Sequence, residues 1–376
     1  METPFIYGKL AVGKSFTDRE NELKLLKQNF QSGTNTILIS PRRWGKSSLV
    51  KKVADELMSE EKSIRIVQLD MFNIRTEEEF YKSLSEKVLQ VVSNKTEDLI
   101  ANVKEFMKLW IPKITISPDA QQEISFGLNW QEIKKQPDEL LDLAENIAIK
   151  KGLKLVICID EFQNISYFDD PLAFQKKLRS HWQKHQMASY CLCGSKRHML
   201  IDVFTSPSMP FYKFGSLIFL EKIQTEYWQN FIQKQFKATG KKITKKQSSQ
   251  IALMVNNHPY YVQQLAQLCW LRTDKEMTDN IMNEALESLV MQLSLLFQGV
   301  TELLSTTQIN FLSALIHGAK MFSSTKTLEE YKLGTSANVS RIKKALIAKE
   351  IIDDQNGIIE LLDPVFAIWL KTYYFK

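Results

Sequence analysis

The sequence predicts an α/β core built on a parallel sheet, followed by an all-helical segment and a small C-terminal domain of three helices and a hairpin. Three observations predict it. Short apolar runs, "TILI" at 36–39, "LVICI" at 155–159 and "YCLC" at 190–193, alternate with helical periodicity, as strands buried on both faces do. From 221 to 300 the apolar spacing is helical throughout. From 306 onward, "TQINFLSALIHG", "SSTKTLEEYKLG" and "TSANVSRIKKALIAKEIID" read as helices before "DDQNGIIELLD", a turn with Asn356-Gly357 at its tip.

The 376 residues leave room for two or three domains. The expected division is a core at 1–220, a helical lid at 221–300 and a winged helix at 301–376. Within the core, "IRIVQLD" (64–70) is a second strand, and "TEEEFYKSLSEKVLQVV" is the helix after it, opened by a threonine with glutamates behind it. Residues 93–137 are an insertion in which "KITISPDAQQEISFGL" predicts a β-hairpin, with Trp110 and Trp130 expected to cover the core or meet a partner.

Composition narrows the class. Hydrophobic residues make up 44% and charged residues 24%, ordinary values for a soluble globular protein. No run approaches the roughly 18 apolar residues that span a bilayer, and "METPFIYGKLAVGKSF" lacks the apolar stretch of a secretion signal. The expectation is a cytoplasmic protein with no membrane partner. The net charge of +6 is spread along the chain, which permits nucleic-acid contact without demanding it. Cys158, Cys191 and Cys193 sit inside apolar strands and, with Cys269, read as buried structural thiols; no acidic or histidine cluster turns the C-x-C pair into a metal site. No metal-ligand set or nucleophile constellation points to a nuclease or protease.

The chemistry lies at the strand ends. "TILI" runs into Ser40, Pro41, Arg42, Arg43, Trp44, Gly45, Lys46, Ser47 and Ser48, and then into an amphipathic helix with Leu49, Val53 and Leu57 on one side. Strand, turn and helix in that order form a phosphate loop, with serine in place of the usual first glycine. Amides at the helix N-terminus would cradle the β-phosphate, Lys46 would bridge β- and γ-phosphates, and Ser47 would ligate Mg²⁺. Gly45 is expected to be glycine because a side chain there would obstruct the phosphates. The acidic strand "LVICIDEF" supplies Asp160 as the second Mg²⁺ holder and Glu161 as the base that takes a proton from the attacking water, a role worth about 10²–10⁴ in rate. Ser195, at the tip of the "YCLCGS" strand, can orient water or touch the γ-phosphate. These residues together predict a P-loop nucleoside triphosphatase with ATP and Mg²⁺ as ligands.

Several further motifs, in order, carry a family resemblance: "FTDRENELKLL" (16–26), "PRRWGKSSL", "VICIDEFQNI", "LCGSKRHML", "NNHPYYVQQLAQLCW" (256–270) and "LLDPVFAIWLKTYY" (361–374). The chain resembles the archaeal and bacterial branch of AAA+-like ATPases grouped with the signal-transduction ATPases with numerous domains. The resemblance implies that Arg19 lies near the nucleotide base and that Pro259, at the start of a lid helix, approaches the adenine. It departs at Asn257, where the family has glycine, and at "PFYKFG" (210–215), where Lys213 is the nearest cation to the family's missing arginine. Slow intrinsic turnover is therefore expected. Arg42 and Arg43 would contact phosphates, a neighbouring subunit or the winged helix, or solvate the loop; Trp44 suits packing better than base stacking. In the C-terminal domain, Arg341, Lys343, Lys344 and Lys349 would face DNA if the winged helix binds it.

The reading this supports is an ATP-driven switch that repositions the winged helix. Two others remain open. One is a DNA-binding loader or regulator resembling origin-recognition ATPases. The other is a nucleotide-dependent scaffold that assembles with itself or a protein partner and scarcely hydrolyses.

Overall fold

The computed structural model describes residues 3–93, 138–355 and 357–376. The predicted hairpin, Trp110 and Trp130, and the turn residue Asn356 lie outside the described residues. By contacts the chain divides into two compact units. One comprises Arg19–Arg42 and Lys46–Glu221; the other comprises Met1–Asp18, Arg43–Gly45 and Lys222–Lys376.

The first unit is built on a five-stranded, all-parallel sheet. Its strands are β1 (Thr36–Ile39), β2 (Ile64–Asp70), β3 (Lys154–Asp160), β4 (Ala188–Gly194) and β5 (Ser216–Phe219), in the spatial order β2-β3-β4-β1-β5. Every residue of β1 and β4 is buried, which is why these strands read as unbroken apolar runs rather than as alternating ones. Helices α1 (Glu20–Ser32), α2 (Lys46–Glu60), α3 (Glu77–Val92), α4 (Leu143–Lys151), α5 (Pro171–Trp182) and α6 (Arg197–Thr205) flank them. Thr76 caps α3 by accepting from the Glu79 amide, as its position before three glutamates suggested.

Register fixes where the chemistry falls. Ile39 pairs with Gly194, and Asp70 pairs with Asp160. The carboxyl ends of β1, β2, β3 and β4 therefore emerge along one edge. The strand ending before Ser195 lies between β1 and β3, so it separates the phosphate loop from the acidic strand within the sheet. A buried carboxylate holds the entry to this middle strand: Glu145 of α4 accepts from the Gln186, Met187 and Ala188 amides.

The second unit is helical, with α7 (Thr225–Ala238), α8 (Lys245–Met254), α9 (Pro259–Arg272), the long α10 (Asp279–Glu302) and then the C-terminal domain. That domain has helices α11 (Thr306–Ile316), α12 (Thr325–Glu330) and α13 (Ser336–Ala348). The antiparallel pair β6 (Ile352–Gln355) and β7 (Ile358–Leu361) follows, and α14 (Pro364–Trp369) closes it: a winged helix. Helices α7–α10 and the winged helix share one hydrophobic cluster, running from Trp228 and Phe236 through Leu289 to Phe366 and Leu370. Trp369 Nε1 donates to Ser294 Oγ at 3.0 Å, and Phe366 meets Phe297 at 5.2 Å, so the closing helix packs on the final turns of α10. The N-terminal segment belongs to this unit as well. Phe5 is fully buried between Phe231 and Phe236, and Gln235 and Gln263 donate to the carbonyls of Lys14 and Ser15.

All four cysteines are buried and free. Among the described residues no helix is long and apolar enough to cross a membrane.

Candidate nucleotide site

The loop after β1 leaves the sheet at Ser40, whose amide donates to the Gly194 carbonyl and so ties the loop to β4. Two residues with positive φ turn the chain: Arg43 at +64° and Gly45 at +92°. A Cβ on Gly45 would meet no protein atom within 4 Å. The backbone angle by itself already favours glycine there, apart from any obstruction of a phosphate. Helix α2 begins at once with Lys46, and Ser47 is exposed beside it.

Lys46 is 7% exposed. Its Nζ lies 2.6 Å from Asp160 Oδ1 and 3.6 Å from Glu161 Oε1, within ion-pair range but outside hydrogen-bond geometry. Burial by itself would lower the ammonium, but Asp160 and Glu161 outweigh it, and Lys46 is held charged above its ordinary 10.5. Ser47 Oγ donates to the other oxygen of Asp160, Oδ2, at 2.8 Å. The Glu161 amide donates to Oδ1 at 2.8 Å.

Glu161 itself has a left-handed backbone, φ +53° and ψ 41°, a conformation that costs a non-glycine residue energy and clusters at functional sites. Ser195 Oγ donates to Glu161 Oε2 at 2.9 Å. The structure thus brings together Lys46, Ser47, Asp160, Glu161 and Ser195 from the ends of three strands.

Two neighbours of this cluster carried no motif. Asp70 ends β2 opposite Asp160; burial and the charges of Asp160 and Glu161 push its carboxyl up from the usual range, against the Phe72 amide it accepts. A strand ending in aspartate was its only sequence signal. Gln163 donates from Nε2 to Glu161 Oε2. Its signal was its place two residues after the glutamate in "DEFQ".

The remaining candidates make contacts of their own. Arg19 is buried with a left-handed backbone and bonds Glu22 Oε1 at 3.0 Å and the Glu221 carbonyl. Ser48 is buried, while Arg42 is exposed and Pro41 half-buried. Arg43, Trp44 and Pro259 fall in the helical unit. There the Arg43 guanidinium lies 4.5 Å over the Tyr260 ring, and Trp44 meets His258 edge to face at 6.3 Å. Lys213 also takes a left-handed backbone, beside the Tyr212 ring.

Comparison with known families decides the kinship. Residues 16–265 match a family described as an ATPase domain predominantly from Archaea. The chain belongs to that archaeal ATPase family. Beyond that domain, residues 295–372 match a winged-helix family. No curated protein sequence gives a significant match. Among solved structures, a Walker-type ATPase of Pyrococcus abyssi is similar over 96% of this chain and 97% of its own, with TM-score 0.64 and 16% identity. The ORC2 protein of Aeropyrum pernix, solved in ADPNP–ADP complexes, is similar over 98% and 94%, with TM-score 0.57 and 12% identity. The same organism's ORC1 protein, solved in complex with DNA, covers 96% and 94% with TM-score 0.50 and 12% identity. At such identities the likeness is one of fold.

As an archaeal-type ATPase the chain offers hard oxygen donors, Ser47 Oγ and Asp160 Oδ2, side by side at the start of α2. This set suits Mg²⁺, which keeps several waters and takes one or two protein oxygens together with phosphates. Among the described residues no group of three His, Cys, Asp or Glu side chains is arranged to hold a metal ion.

Proposed function

We propose that this ATPase-family protein hydrolyses ATP and uses the cycle as a conformational switch. The observation that supports the reading is the convergence of Lys46, Ser47, Asp160 and Glu161 within 3.6 Å contacts at one sheet edge. Phosphate oxygens would meet the amides at the N-terminus of α2 and draw Lys46 away from its carboxylate partners. Ser47 and Asp160 would hold Mg²⁺, which when bound neutralises charge on the β- and γ-oxygens. One ammonium stands here against three carboxylates, Asp70, Asp160 and Glu161, so a triphosphate arriving without a cation would meet net repulsion.

Glu161 would accept a proton from water as the water oxygen bonds to the γ-phosphorus. The bond to the β–γ bridging oxygen breaks, leaving ADP and phosphate. The arginine of the resembling family is absent here, with Lys213 the nearest cation, and a finger residue of that kind is worth about 10³–10⁵ in rate, so turnover is expected to be slow. Because lid and winged helix share one core, they would respond to nucleotide as a single body, through contacts that differ between the ATP and ADP states.

Calorimetry and phosphate release test this reading. Wild type should bind Mg²⁺–ATP, and Lys46→Ala should give no heat. Glu161→Gln should bind normally and hydrolyse about 100-fold more slowly; wild-type turnover in that variant would reject the base assignment.

A second reading, DNA binding through the winged helix, is favoured by Arg341, Lys344, Ser336 and Ser340, all exposed on α13. It is weakened because Lys343 pairs with Asp354 and Lys349 donates to the Leu303 carbonyl. Fluorescence polarisation across salt concentrations separates the two: phosphate contacts make affinity fall steeply with salt, and no binding at about 50 mM would reject the second.

A further inference from the structure

Gln163 lies in the 3₁₀ turn Phe162–Tyr167 and is 5% exposed. Its Nε2 and the Ser195 hydroxyl both donate to the same oxygen, Glu161 Oε2. The reverse amide orientation would set two acceptors face to face, so the donor assignment follows from the chemistry. The amide is also gripped from the far side. A Cβ on Gly194 would lie 2.1 Å from Gln163 Oε1 and 3.3 Å from its Cδ, so only glycine at the end of β4 leaves the amide its room. Oε1 is buried there and accepts no hydrogen bond. Leaving such an oxygen unpaired is unfavourable, and the bond to Glu161 is what the amide gains in exchange.

We propose that Gln163 is a positioning residue for Glu161. Two donors on Oε2 fix the carboxylate's rotation and leave Oε1, the oxygen 3.6 Å from Lys46, as the one that takes the proton from water. Ser195 alone would leave the carboxylate plane free to swing about that single bond. A left-handed Glu161 backbone reaches both donors at once, which gives the strained conformation a use. This rests on the reading of Glu161 as the general base.

Gln163→Met fills the same slot against Gly194 and donates nothing. In the full chain with Mg²⁺–ATP, kcat should fall about 10- to 100-fold, while KM and the nucleotide Kd stay within about twofold. In a Glu161→Gln background, adding Gln163→Met should cause no further loss in single-turnover rate, because its effect runs through the glutamate. Gln163→Glu has the same shape and puts a carboxylate in place of the donor, so it should lose kcat at least as far; it decides the question on the same readouts if the methionine variant does not fold. A folded variant with kcat within twofold of wild type, or an additional loss in the Glu161→Gln background, overturns the proposal. That result differs from failure of the underlying reading, in which Glu161→Gln itself turns over at the wild-type rate.

Discussion

Ser47 Oγ donates to Asp160 Oδ2 at 2.8 Å, joining residues 113 positions apart in the chain. The hydroxyl gives its only proton to the carboxylate and keeps its lone pairs for a cation. Ser47→Ala removes an oxygen ligand and also the donor that orients Asp160. Losses of this kind cost about 10–100-fold in metal affinity. The expected result is a weakening of that order in Mg²⁺–ATP binding by calorimetry, with a much smaller change when EDTA has removed the metal. Equal losses with and without metal would place Ser47 outside the cation's shell.

His258, before the first turn of α9, is pushed down from 6.5 to about 3, by burial first and then by the Arg43 and Lys222 charges. A histidine that stays neutral in the fold binds fewer protons than in the unfolded chain between those two values. Stability is therefore complete above about pH 6.5 and drains away as pH falls toward 3. At pH 5 the loss from this one group is about 2 kcal/mol. Denaturant melts at pH 7 and pH 5 should show it for the wild type, and His258→Phe should lack that share of the acid sensitivity.

The cluster at the sheet edge was legible in the sequence because each piece of it lies at the end of a strand or the start of a helix. Ser40, Asp160 and Ser195 sit where apolar runs stop, and Lys46 opens a helix, so local pattern sufficed to name them. Strand order was not legible. Placing the Ser195 strand between the other two depends on pairing between residues more than 150 apart, such as Thr36 with Cys191, which no local window contains. Gln163 was missed for a related reason: its role comes from the empty side-chain position of Gly194, thirty-one residues away. The loop's turn was also hidden, since an arginine at positive φ gives no compositional sign.

The N-terminal segment was equally silent, because one buried phenylalanine and side-chain bonds to its backbone carbonyls hold it, and neither leaves a periodic pattern. Phe5 has no exposed surface, and its ring lies 6.0 Å from Phe231 and 5.9 Å from Phe236. Phe5→Ala empties that slot, and a buried phenylalanine truncated to alanine costs about 3–5 kcal/mol. The helical unit should melt at a visibly lower temperature, read by far-ultraviolet circular dichroism. Mg²⁺–ATP affinity measured well below the melt gives a separate readout of how far the nucleotide site depends on this anchor.

Tyr261 and Asp363 join α9 to the winged helix. The phenol of α9 donates to Asp363 Oδ2, while Asp363 Oδ1 accepts the Val365 and Phe366 amides and so caps α14. Burial pushes the Asp363 carboxyl up, partly offset by these three donors. Tyr261→Phe keeps the ring and its contacts with His258 and Tyr260 and deletes only the hydroxyl. The carboxylate then loses a donor in a buried setting, at a cost of about 1–3 kcal/mol. With one of its stabilising donors gone, Asp363 should hold its proton to higher pH. A carboxyl raised in the fold binds more protons than in the unfolded chain, so stability falls as pH climbs through that raised value. The deficit of Tyr261→Phe against wild type should therefore be larger at pH 7 than at pH 4, because acid shifts Asp363 toward the neutral form, for which the donor matters less. Paired denaturant melts at the two values measure this difference, and a deficit that does not change with pH would mean the hydroxyl acts through packing rather than through the carboxylate.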